Sequence, residues 1–210
     1  MSYSQIKTNL KEAYNSKASE RDSLEIEQWK VDIRESFLNR LLENNKQTLL
    51  EIGAGAGRDS MYFQDQGLSV ICTDLSTEMI NLCRVKGLEA QEMGFDSLTF
   101  LDESFDAVWA LNCLLHVPKK ELEDILAGIK RVLKTDGYFY MGVYGGRSSE
   151  GIWEDDFYEP KRFFSFYTNE ELIAILKKYF TVISFIELGP ETIGGTDLSF
   201  QSFVLKKTQS

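Results

Sequence analysis

Glu51, Gly53, Gly55 and Gly57 stand at alternate positions. They end an apolar run, Thr48-Leu49-Leu50, and precede a helix-like pattern that opens near Arg58. The stretch reads as a strand, a tight turn and a helix start. Glycine reaches positive φ without strain and puts no side chain between a ligand and the backbone. The free N–H groups of the helix start favour anionic ligand groups. The spacing is not that of the dinucleotide turn G-x-G-x-x-G, because Arg58 occupies the third glycine position, and no Lys follows as a phosphate loop requires.

A second apolar run, Ser69-Val70-Ile71-Cys72-Thr73, ends at Asp74, 21 residues beyond Gly53. In doubly wound folds an acid about 20 residues past the glycines closes strand two and holds a ribose. A carboxylate can accept from both ribose hydroxyls through charge-assisted bonds. Ser76 is the better cap for the helix after it, which leaves Asp74 for a ligand. Met93-Gly94-Phe95-Asp96 is turn-like, with two large apolar side chains placed to cover a flat base. His116 is the sole histidine. It follows the strand pattern from Ser104 to Ala110, where open α/β sheets bind ligands, and its pKa range makes it the candidate general base.

The elements that must position these groups follow from periodicity. Ile6, Leu10 and Tyr14 space a short amphipathic helix, and Ile26, Trp29, Ile33, Phe37 and Leu41, widened by Leu38 and Leu42, mark a longer one from about Ser23 to Asn44. Helices are expected at 57–66, 77–85, 118–134 and from the Thr168-Asn169-Glu170-Glu171 capping box to about Tyr179. Strands are expected at 48–52, 69–74, 89–92, 104–110, 138–144, 181–187 and 199–206. The last two have no helix pattern between them and should pair as an antiparallel hairpin at one sheet edge. The fold class is therefore α/β, a doubly wound, seven-stranded, mostly parallel sheet. Residues 1–47 are expected as helices capping the fold and 48–210 as the main domain. The stretch 145–167 breaks the pattern with glycines and aromatics. A loop this long in a compact domain is functional or disordered, and its aromatics favour a substrate lid. Its candidates are Tyr144, Arg147, Trp153, Asp155, Asp156, Tyr158, Arg162 and Phe163, and Tyr14 could join them over the site.

With 23 Lys and Arg against 33 Asp and Glu in 210 residues, the net charge is −10. Such a chain should repel nucleic-acid backbones and anionic membrane surfaces. No apolar run approaches the length of a membrane span, and the first ten residues carry no apolar signal core, so a cytoplasmic location is expected. Cys72, Cys83 and Cys113 form no C-x-x-C pair, so no disulfide framework or metal site is expected.

The pattern Glu51-x-Gly53-x-Gly55-x-Gly57, with Asp74, Ser104-Phe105-Asp106 and Leu115-His116-Val117-Pro118, resembles class I S-adenosylmethionine-dependent methyltransferases, in particular the small-molecule group similar to tellurite-resistance and metabolite methyltransferases. The resemblance implies S-adenosyl-L-methionine as cofactor. Gly53, Ala54, Gly55 and Gly57 would line its methionine part, and Glu51 would supply negative charge near its cationic end. Asp74 would hold the ribose, beside Leu75 and Met79. Met93, Gly94, Phe95 and Asp96 would surround adenine, and Ala110 and Leu111 would sit beside the sulfonium. One departure is that Met93 or Gly94 stands where the family often has an acid. The implied function is methyl transfer to a small-molecule acceptor by a monomer or homodimer. The alternative is a non-catalytic cofactor-binding sensor or partner protein.

Overall fold

The structure is a computed structural model, and it describes residues 1–195 and 197–208. The central strand β1 (Thr48–Ile52) buries Leu49, Leu50, Glu51 and Ile52. Burial on both faces is the mark of a strand inside a parallel sheet. β1 pairs in parallel with β2 (Ser69–Asp74) on one side and with β4 (Phe105–Leu111) on the other. β3 (Glu89–Glu92) lies outside β2, and β5 (Leu133–Gly145) lies beyond β4. β8 (Thr181–Leu188) and β9 (Ser199–Lys206) complete the order β3-β2-β1-β4-β5-β9-β8. β9 runs antiparallel to both β5 and β8. The expected hairpin is present, with β8 at one edge of the sheet, β9 inside it, and β3 at the other edge.

Helices cover both faces. α3 (Gln28–Glu43) and α4 (Arg58–Asp65) place Phe37, Leu41 and Phe63 against Leu49, Ala107, Trp109 and Tyr140. On the other face α6 (Leu122–Val132) and α7 (Asn169–Leu176) pack on Leu50, Ile52, Val108, Phe139 and Met141. The two sets alternate along each strand, as the pleat demands. Trp109 stacks on Tyr140 with centroids 4.0 Å apart, and its indole N–H donates to Asp59 at 3.0 Å. Asp59 is also paired with Arg34 at 2.9 Å, so this buried carboxylate has both a cation and a second donor.

α1 (Tyr3–Ser16) and α2 (Ala18–Asp22) cross the carboxyl end of the sheet beside α5 (Thr77–Val85). Asn15 accepts from the Ser76 hydroxyl at 2.6 Å, and Lys86 pairs with Asp22. Ser76 caps α5 through the Met79 N–H at 3.1 Å, and the capping box at Thr168 and Glu171 is formed.

Several element boundaries differ from the sequence reading. α3 starts at Gln28, because Glu27 is extended; Ile26 therefore leaves the helical stripe, and Leu42 is 49% exposed. Residues 119–121 form a separate 3-10 turn before α6. The last two residues expected in that helix, Leu133 and Lys134, go to β5, where Leu133 pairs with Phe105. The 145–167 stretch contains a hairpin, β6 (Ser149–Ile152) with β7 (Phe163–Phe166). α8 (Pro190–Ile193) is a single turn between β8 and β9.

Gly55 and Gly57 both sit at positive φ, +55° and +76°. A Cβ on Gly55 meets nothing within 4 Å, whereas one on Gly57 would lie 2.5 Å from Leu88 and 2.8 Å from the Cys83 sulfur. Gly55→Ala should cost about 1–2 kcal/mol from left-handed strain alone. Gly57→Ala should add about 1–3 kcal/mol of overpacking. Urea unfolding of the two variants measures the difference.

Candidate functional site

The carboxyl ends of β1, β2 and β4 open on a cavity of about 440 Å³. Glu51, Gly53, Ala54 and Gly55 line it beside Asp74, Leu75 and Phe95, with Leu111 and His116 also on its wall. Gly53 and Gly55 hold φ of +66° and +55°, and a Cβ on Gly53 would collide with Cys113. Asp74 accepts the Gly55 N–H and the Ser76 N–H, each at 2.8 Å. The acid thus ties the turn after β1 to the end of β2, and it keeps lone pairs for a ligand. Burial raises its pKa, opposed by those N–H groups and by Arg21.

Glu51 is 4% exposed and accepts from the Ser60 hydroxyl. Burial, and then the Asp59 carboxylate, push its pKa well up. Asp59 has Arg34 as counter-charge; Glu51 has no cation within pairing distance among the described residues. The negative charge expected at Glu51 is therefore suppressed until a cation arrives to favour it.

The remaining expected cofactor residues divide. Gly57 is the N-cap of α4 and packs under the turn. Met79 and Ala110 are 0% and 1% exposed, in the core behind the cavity. Met93, Gly94 and Asp96 face a separate groove together with Lys7 and Lys11 of α1. Lys7 pairs with Asp96 at 2.5 Å and Lys11 with Glu92, so α1 straps this side. The sequence reading missed much of the wall: Leu10, Arg21, residues 24–27, Lys30, Arg58, Asp59, Asn112 and Cys113. Ile26 keeps helical spacing in the sequence, yet it lines the cavity. The left-handed Asn112 (φ 55°) directly after β4 carries a composition signal that was available, since Asn tolerates this region.

Among the lid candidates, Tyr144 packs edge-on to Phe200, and Trp153 packs on Phe164 and Phe166 with Arg147 over its ring. None of these three lines the cavity. Tyr158 and Arg162 instead reach Tyr14, which does. Arg162 is held by Asp156 at 2.8 Å through two of its nitrogens, lies 3.6 Å from the Tyr158 ring centroid, and donates to the Tyr14 hydroxyl at 3.1 Å.

His116 is hydrogen-bonded at both ring nitrogens, to the Phe163 carbonyl at 2.7 Å through Nδ1 and to the Tyr14 hydroxyl at 2.6 Å through Nε2. A carbonyl only accepts, so Nδ1 carries the proton and Nε2 accepts from the Tyr14 O–H. Burial first, with the Arg162 and Arg21 charges adding to it, lowers the His116 pKa to about 3. Burial raises the Tyr14 pKa, while Arg162 and Arg21 oppose the rise. At neutral pH the pair is a neutral phenol donating to a neutral imidazole.

Residues 50–141 match the family model of a methyltransferase domain. Over those residues the chain is similar to methyltransferase domains. Its fold superposes with a TM-score of 0.73, at 22% identity and over 99% of this chain and 89% of that one, on a 1,6-didemethyltoxoflavin-N1-methyltransferase of Burkholderia thailandensis, solved with 1,6-didemethyltoxoflavin and S-adenosylhomocysteine. Among curated relatives, phosphoethanolamine N-methyltransferase 2 of Caenorhabditis elegans is 31% identical over 107 residues, 47% of this chain and 24% of that protein. A demethylmenaquinone methyltransferase of Renibacterium salmoninarum is 35% identical over 102 residues, 47% of this chain and 41% of that protein. The chain spans between 24% and 49% of the length of the first curated relatives it matches. The methyltransferase match covers the glycine turn, Asp74 and His116; it does not extend to Tyr14 or Arg162.

With a folded-state pKa near 3, against 6.5 for the free side chain, His116 stays neutral in the fold while the unfolded chain takes up a proton. Its contribution to stability is therefore full above about pH 6.5 and is lost as pH falls toward 3. The stability difference between the wild type and His116→Gln should shrink over that window in pH-dependent urea unfolding. Nitrogen-15 spectra of the single histidine should show the neutral Nδ1–H form at pH 5.

Proposed function

We propose that this chain transfers a methyl group from S-adenosyl-L-methionine to a small-molecule acceptor. The observation that carries the reading is the cavity bounded by the glycine turn at one end and Asp74 at the other, with an unpaired, buried Glu51 in its wall. A buried carboxyl without a cation suits a ligand that brings one, as the ammonium of a methionine moiety would. Gly53, Ala54 and Gly55 let a ligand approach the backbone there. Asp74, fixed by two N–H donors, can present its remaining lone pairs to ribose hydroxyls. Leu75 and Phe95 offer apolar contact to adenine. Met93, Gly94 and Asp96 join them in this reading from the groove under α1. Leu111 borders the reacting end. Gly57, Met79 and Ala110 support the site from behind it.

When bound, S-adenosylmethionine supplies an electrophilic methyl group on a sulfur that leaves as a neutral thioether. The chain supplies alignment and exclusion of water. α1 and the β6–β7 hairpin act as covers in this reading. Tyr14 faces the cavity, and its oxygen can take the acceptor's proton as its own proton passes to His116 Nε2. The resulting imidazolium keeps its Nδ1–H bond to the Phe163 carbonyl. A base as weak as His116 suits an acceptor that arrives deprotonated or loses its proton only as the new bond forms. The relatives' names carry unlike acceptors, so they select none. The covered dyad favours an enzyme over a cofactor-binding sensor.

S-adenosylhomocysteine should raise the melting temperature, and NAD should not. Asp74→Ala should weaken S-adenosylhomocysteine binding by about tenfold or more in calorimetry, the loss of at least one charge-assisted bond. Tyr14→Phe and His116→Ala should bind it normally and slow transfer to an acceptor found by a metabolite screen by about 10²–10⁴-fold. An unaltered rate in both variants would make the pair structural, and absence of S-adenosylhomocysteine binding by the wild type would overturn the reading.

A further inference from the structure

We infer that Arg21 is the receptor for an anionic group, a carboxylate or a phosphate, carried by the methyl acceptor. The inference rests on the methyltransferase reading above and adds the chemical class of its second substrate.

Arg21 lies in the last turn of α2 and lines the cavity. Its Nη1 donates to the Tyr158 hydroxyl at 3.0 Å, and its guanidinium lies 5.3 Å from the centroid of the Tyr14 ring. Both neighbours are neutral. Among the described residues no carboxylate pairs with it, and no acid figures among the groups that raise its pKa. The other cations around the cavity are committed. Lys30 pairs with Glu27 at 2.7 Å, Arg34 with Asp59, and Arg162 with Asp156; Arg58 donates to the Leu24 carbonyl and has the Glu27 carboxylate close enough for its charge to help lower that group's pKa. Asp74 feels the Arg21 charge, yet it gives its own oxygens to the N–H groups of Gly55 and Ser76. Arg21 is half-buried; a cation partly withdrawn from water without a counter-charge is unfavourable, and an anion delivered by a ligand would relieve it.

The cofactor also carries a carboxylate, but the proposed place of its amino-acid end is the turn at Gly53–Gly55. Arg21 touches Tyr14 and Tyr158 instead, the residues that link the dyad to the β6–β7 hairpin. An anion held by Arg21 sets the rest of the acceptor beside the Tyr14 hydroxyl. The geometry therefore selects a small molecule whose carboxylate or phosphate stands a few bonds from an amine, hydroxyl or thiol. The overall charge of −10 does not oppose this, because a local guanidinium in a cleft sets the field that a bound group feels.

The test uses the full chain saturated with S-adenosylhomocysteine. Calorimetry with inorganic phosphate, and in parallel with acetate, at fixed ionic strength should show binding to the wild type and to Arg40→Gln, a change on the far side of α3. Arg21→Gln should lower that affinity by about tenfold or more, the loss expected of a charge-assisted contact, and Arg21→Lys should restore part of it. S-adenosylhomocysteine affinity should stay within about twofold in Arg21→Gln, well under the size of a lost hydrogen bond. Equal anion affinity in wild type and Arg21→Gln, or no anion binding by the wild type, would overturn the inference. So would a parallel loss of S-adenosylhomocysteine affinity, which would assign the guanidinium to the cofactor. Failure of the wild type to bind S-adenosylhomocysteine at all would instead strike the methyltransferase reading.

Discussion

The bond from the Gly55 N–H to the Asp74 carboxylate is the constraint on which the site depends. β1 and β2 are neighbours in the sheet, and each ends in a turn that has left the ladder. Asp74 bridges the two turns and, through the Ser76 N–H, also fixes the entry to α5. The Ala54 N–H adds a second tie, to the Thr73 carbonyl at 2.9 Å. Gly53, Gly55 and Gly57 hold positive φ in this turn without steric strain, because glycine has no Cβ. Remove the carboxylate, and the turn loses its partner and the cavity its wall at once.

A second assembly is built across the cavity from distant parts of the chain. Tyr14 comes from α1, His116 from the segment after β4, Phe163 from the first position of β7, and Arg162 from just before it. The hairpin grips both ends of the dyad, since the Phe163 carbonyl fixes the imidazole tautomer and Arg162 holds the phenol. Asp156 holds Arg162 in turn. The protonation state of the only histidine is thus set by residues more than forty positions away. Without the hairpin, neither the burial nor the Nδ1 partner of His116 would exist.

The central strands β1, β2, β4 and β5 were legible because a buried parallel strand is a short, largely apolar run, and these lie between glycine and acid punctuation. The hairpin of β6 and β7 was not. Its strands are four residues each, and β6 carries Ser149, Glu150 and Gly151, which show no alternation. Its order comes from Trp153, Phe164 and Phe166 packing on one another. The start of α3 was misplaced for a related reason: Ile26 keeps helical spacing, yet its side chain serves the cavity wall and not the α3 stripe.

The sequence alone determined the glycine turn, its acid at the end of β2, and the chain order of the seven strands of the main sheet. These depend on backbone preferences and on burial patterns that act over a few residues. Only the tertiary structure decided that Tyr14 meets His116, that Arg21 has no counter-charge among the described residues, and that Met79 and Ala110 face the core. Such facts depend on which side chains meet when segments about a hundred residues apart pack together, as Tyr14 and His116 do. No periodicity encodes that meeting, because it is fixed by the sheet order and the crossing of α1 over the ends of the strands.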